Sequence, residues 1–91
     1  MIIYTIDEIK ALRKYLSMSV ETFYTFLGLT KQQGYNLEKG KSKPSLVNRI
    51  AATAVLNWMY SEEGIDILEV LNHYKEIKDN PFYDKVFKKQ P

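Results

Sequence analysis

The chain reads as all-α. Three observations carry this: apolar residues recur at helical spacing in successive stretches, most stretches open on a side chain that caps a helix, and glycine or proline stands near most of their ends. Thr5-Ile6-Asp7-Glu8 is a capping box, with Tyr4 and Ile9 placed for a hydrophobic staple, and Ile6, Ile9, Leu12 and Leu16 continue a first helix over about 6–17. Ser19 opens a short second helix whose apolar face is Val20, Phe23, Phe26 and Leu27, closed by Gly28. Thr30-Lys31-Gln32-Gln33 is a second capping box, and that third helix runs to about Lys39 with Gly40 as its stop. Ser45 opens a fourth helix to about Tyr60, with Leu46, Ile50, Ala54, Val55 and Trp58 as its apolar stripe. Asp66 caps a fifth helix to Ile77, whose apolar side is Ile67, Leu68, Leu71 and Tyr74. Pro81 ends the preceding ladder and suits the first position of a short last helix carrying Phe82, Val86 and Phe87. An edge strand at Met1 to Tyr4 is the one non-helical element considered.

With 91 residues, 45% of them hydrophobic, the expectation is one folded domain with a modest core. Cysteine is absent, which excludes disulfides and thiolate-ligated zinc and fits a reducing cytoplasm. No apolar run approaches a membrane span of roughly 20 residues, and the first residues lack the basic start of a signal peptide. The net charge of +2 decides little, but its distribution does more. From 31 to 49, Lys31, Lys39, Lys41, Lys43 and Arg49 face only Glu38, whereas Glu62, Glu63, Asp66, Glu69, Glu76 and Asp79 dominate 61–80. A basic middle suits a polyanion, with the acidic segment turned away from it.

The informative stretch is Ser19 to Pro44, two short helices around Gly28-Leu29-Thr30. The third helix offers Lys31, Gln32, Gln33, Tyr35 and Asn36 as base-reading side chains. Glutamine and asparagine pair bidentately with adenine, and lysine donates to guanine. Leu37 falls on the core side. Helix starts at Ser19 and Thr30, with Lys39, Lys41 and Lys43, are the candidate phosphate contacts. Glu38 is read as structural, paired with Arg13, Arg49 or a backbone amide. His73, the only histidine, is read as surface or interface. No nucleophile–base pair, metal cluster or phosphate loop is visible, so no enzyme, cofactor or metal is expected.

At these residues the chain resembles the phage Cro and repressor family of helix-turn-helix proteins. Ser19, Phe23, Leu27-Gly28, Thr30, Lys31-Gln32-Gln33, Glu38-Lys39-Gly40 and Lys43-Pro44-Ser45-Leu46 follow the family order, and the likeness spans about Ile6 to Leu56. The resemblance implies a five-helix lambda-repressor-like domain with a C-terminal helical extension, binding to double-stranded DNA, and a homodimer. It assigns base reading to Lys31, Gln32 and Gln33. The division expected is 1–60 as the DNA-binding core and 61–91 as a C-terminal segment that completes the core and the dimer. Ile67, Leu71, Tyr74, Phe82 and Phe87 are the expected dimer contacts. Two departures stand out. Gly34 replaces the family's usual valine or isoleucine, which predicts a less rigid third helix or a repacked Tyr35. Tyr24 replaces a frequent alanine, which predicts an altered approach of helices 2 and 3. The expected function is an autoregulating repressor; the alternative is an antitoxin or another module whose C-terminal segment grips a partner protein.

Overall fold

Each helix of the computed structural model, which describes residues 2–89, begins and ends for local reasons. The order is α1 (Ile6–Tyr15), α2 (Val20–Thr25), α3 (Lys31–Glu38), α4 (Leu46–Glu63), α5 (Ile67–Ile77) and α6 (Tyr83–Val86). Thr5, Ser19, Thr30, Ser45 and Asp66 all accept first-turn amides through their side chains, and both capping boxes are closed on both sides. No strand occurs among the described residues; Ile2 to Tyr4 are irregular, and Met1 lies outside them.

Three boundaries differ from expectation. α1 stops at Tyr15, because Ser17 turns left-handed at φ 57° and its amide bonds Lys14. α4 continues through Glu62 and Glu63 until Gly64, at φ 69°, accepts the left-handed turn that ends it. Pro81 precedes the last helix rather than opening it: the Asn80 side chain accepts from Phe82 N–H at 2.8 Å, and α6 is a single turn.

α1 is the central element, packed against α3, α4 and α5, while α2 packs on α3. The core joins Ile9, Ala11 and Leu12 of α1, Phe23 and Tyr24 of α2, Leu37 of α3, Leu56 and Tyr60 of α4, and Val70 and Leu71 of α5. Tyr4 locks the N-terminal segment over α4: its amide bonds Thr53 Oγ1 at 3.0 Å and its hydroxyl bonds Asn57 at 3.1 Å. A radius of gyration of 12.5 Å matches the roughly 12 Å of a single globule of this length, so α5 and α6 complete the body formed by the first four helices.

Two groups of side chains lie where the periodicity did not place them. Leu71 and Phe87, expected at a dimer surface, are 4% and 1% exposed inside the protomer. Phe87 is enclosed by aromatic rings, with centroids at 5.4 Å from Tyr15, 5.6 Å from Tyr74 and 5.3 Å from Tyr83, and His73 stacks at 5.8 Å. Ile67 and Tyr74 are half-buried against this core, leaving Phe82 as the exposed member of the set. The aromatic surplus of the C-terminal segment therefore seals its own domain. Conversely, the expected inward stripe of α4 points partly outward. Leu46, Ala54 and Trp58 are exposed, and the buried side is Ala52, Thr53, Leu56, Met59 and Tyr60. α4 carries no charge between Ile50 and Tyr60, so apolar periodicity alone does not choose its inner face.

Candidate nucleic-acid interface

α3 owes its placement to what lies beneath it. Gly34 and Leu37 are its buried positions, and the Tyr24 ring occupies the space a side chain at Gly34 would need. Tyr24 Oη donates to Glu38 Oε2 at 2.9 Å. Arg13 meets the same carboxylate with two bonds, Nε to Oε2 at 2.8 Å and Nη2 to Oε1 at 2.7 Å, and its Nη1 donates to the Met18 carbonyl at 2.7 Å. Both charged side chains are under 10% exposed, 8% for Arg13 and 5% for Glu38. This network ties α1, α2 and α3 together and explains Glu38 as structural. It also removes the one acid of the 31–49 stretch from the surface electrostatically, because its charge is matched internally. Burial, followed by the Glu38 carboxylate, pushes the Tyr24 hydroxyl far above the ordinary tyrosine range and holds it as a donor.

The outward side of α3 is polar and cationic. Lys31, Gln32, Gln33 and Tyr35 are exposed and Asn36 is half-buried. Gln32 Nε2 donates to Asn36 Oδ1 at 3.0 Å, so two carboxamides one turn apart form a single unit with further donors and acceptors free. Lys31 and Lys39 bracket the Tyr35 ring, with Nζ 5.9 and 5.3 Å from its centroid. Tyr35 is therefore outside the core, not repacked into the room left by Gly34. Gln33 has a second duty: its Oε1 accepts the Thr30 amide at 2.8 Å while Thr30 Oγ1 accepts the Gln33 amide at 3.1 Å. A base contact by Gln33 would break the first of these bonds or use only its free amino group.

The candidate phosphate contacts flank this face. Thr30 caps α3 and leaves the first-turn amides of Lys31 and Gln32 without helix partners. Ser19 caps α2, accepting from Thr22 N–H at 3.1 Å and donating to Thr22 Oγ1 at 2.9 Å. Gly40, at φ 77°, folds the chain back so that the amides of Lys41 and Ser42 converge on the Asn36 carbonyl at 2.8 and 3.2 Å. That turn sets exposed Lys39, Lys41 and Lys43 beside the C-terminal end of α3. Sequence reasoning treated Tyr24 only as a departure and missed that it supports this face; no local pattern pairs Tyr24 with Gly34, since ten residues separate them.

Among the described residues no group of three or more His, Asp or Glu side chains is close enough to hold a metal ion, and no helix is long and apolar enough to cross a membrane. The space between α1, α3 and α4, lined by Ile6, Ile9, Tyr24, Leu37 and Ala52, is apolar and too small for a metabolite. Comparison with protein-family models, curated proteins and solved structures gives no significant match, so the site is read from its own geometry.

Proposed function

We propose that this chain is a sequence-specific DNA-binding transcriptional regulator that inserts α3 into the major groove and represses its own operon by occluding the promoter. The observation that carries the reading is the outer face of α3. Lys31, the bonded Gln32–Asn36 pair and Tyr35 project from a helix anchored from below by Tyr24, Leu37 and the Arg13–Glu38 pair. Paired carboxamides suit adenine, lysine suits guanine, and a major groove admits one helix. Ser19, Thr30, Lys39, Lys41 and Lys43 supply position and charge along the backbone, which add affinity without reading sequence. The alternative, partner capture by the C-terminal segment, loses most of its proposed grip because Leu71 and Phe87 are consumed internally.

The test is a fluorescence-anisotropy titration against DNA from upstream of the chain's own gene and against a scrambled duplex, at two salt concentrations. The native sequence should bind at least about 10³-fold tighter at near-physiological salt. Gln32→Ala should erase about 1–3 kcal/mol of that preference while leaving scrambled-DNA binding unchanged. Lys41→Ala should weaken both duplexes alike and flatten the salt dependence. Equal, steeply salt-dependent binding to both duplexes overturns the specific-regulator reading.

A further inference from the structure

The outward centre line of α4 is apolar where a solvated helix is normally charged. Val47, Ala51, Ala54 and Trp58 share one face at intervals of four, three and four residues, opposite the buried Ala52, Leu56 and Met59. Val47 is 73% exposed and Trp58 55%, and exposed Phe26 extends the patch at a ring-centroid distance of 6.4 Å from Trp58. These side chains expose on the order of 400 Å² of apolar surface, within the range of the largest patch on a typical monomer, which is often a functional one.

We infer that this face is where two copies of the chain pair, α4 against α4 and antiparallel. The intervals read the same in both directions about the Ala52–Thr53 peptide, so a two-fold axis there sets Trp58 of one copy against Val47 of the other. The small Ala51 and Ala54 then meet at the crossing point and allow close approach of the helices. The same register brings Glu62, at the acidic exit of one α4, alongside the basic entry loop of the other, Lys41 and Lys43; Glu63 lies off this face and pairs with Lys89 of its own chain. The charges are thus complementary between copies, and the two helix dipoles oppose each other favourably. Two patches of this size bury on the order of 800 Å² of apolar surface in total, below the standard size of a specific interface, which sets a weak and reversible association. Both this pairing and the phosphate contacts above draw on Lys41 and Lys43, so the experiment is done without DNA and tests the pairing alone.

Sedimentation velocity on the full chain, from about 1 μM to about 1 mM, should show the mass doubling with concentration. Trp58 is the only tryptophan, so its emission should shift to the blue over the same range. Ala54→Arg, at an exposed position that leaves the helical circular dichroism unchanged, should raise the dissociation constant at least about tenfold by burying an unpaired charge. Glu62→Lys should weaken association, and adding Lys43→Glu should restore it. A monomer at every concentration overturns the proposal, as does a dimer unmoved by Ala54→Arg. Failure of Lys43→Glu to rescue Glu62→Lys overturns the antiparallel register.

Discussion

A β-carbon built on Gly34 would lie 2.6 Å from Tyr24 Cδ2, 2.8 Å from its Cγ and 2.9 Å from Val20 Cγ1. Alanine in a helix interior ordinarily gains about 1 kcal/mol over glycine. Here that gain is opposed by overpacking against a ring that cannot retreat, because Tyr24 is 1% exposed and tied to Glu38. Overpacking costs typically 1–3 kcal/mol, so Gly34→Ala should lower stability by about 1 kcal/mol and Gly34→Val by more. In a Tyr24→Ala background the penalty at Gly34 should shrink, a coupling of about 0.5–3 kcal/mol that a double-mutant cycle by urea denaturation would measure. Additive effects would mean that α3 moves away from α2 instead. Read from sequence, Gly34 and Tyr24 are two separate irregularities, the first predicting a less rigid α3 or a repacked Tyr35 and the second an altered approach of α2 and α3. They are one exchange of volume across the α2–α3 contact, and only the packed structure brings the two positions together.

Local signals carried the elements well. The side chains of Thr5, Ser19, Thr30, Ser45 and Asp66 reach amides two or three residues away, so their caps are written in neighbouring letters. The candidate reading face was legible for the same reason, since it is one side of one helix. Its exception is Gln33, whose capping bond competes with base contact; Gln33→Ala should lower the melting temperature through about 0.5–1 kcal/mol of lost capping and reduce operator affinity less than Gln32→Ala does. What distant residues decide was not legible. The inner face of α4 is chosen by Tyr4 and Leu12, whose groups bond Thr53, Asn57 and Tyr60. The destination of Phe87 is chosen by Tyr15, more than seventy residues earlier in the chain, whose carbonyl also accepts the Lys89 amide at 3.0 Å. Phe87→Ala opens a cavity at that seal and should cost about 3–5 kcal/mol, visible as a large drop in thermal midpoint. A loss below about 1 kcal/mol would mean that the last turn of the chain contributes little to the domain.

At the scale of the molecule, stability should fall at alkaline pH through buried phenols. Tyr60 is 1% exposed and donates to the Leu12 carbonyl at 2.7 Å, while Tyr24 donates to the Glu38 carboxylate. Ionising either one sets a phenolate against an oxygen in a desolvated site. Burial is the main cause in both cases, and both hydroxyls sit far above the ordinary tyrosine value of 10.0. Burial likewise pushes Tyr83 up to about 12. Raised values in the folded state mean that the stabilisation is complete below about pH 10 and is lost as pH climbs beyond it, because the unfolded chain then releases protons that the folded chain retains. Tyr24 and Tyr60 each contribute a slope that approaches about 1.4 kcal/mol per pH unit, together about 3, and Tyr83 adds to it until about pH 12. Against the 5–15 kcal/mol typical of small domains, two units above pH 10 remove a large share of the margin. Urea midpoints between about pH 8 and pH 11 should therefore be flat at first and then fall steeply. Tyr60→Phe lowers the plateau through the lost hydrogen bond by about 1 kcal/mol but should reduce the alkaline slope by about a third, because phenylalanine has no proton to withhold. A parent slope that stays flat to pH 11 would mean that both phenols ionise within the folded chain, which the oxygens they donate to and the burial of both side chains argue against.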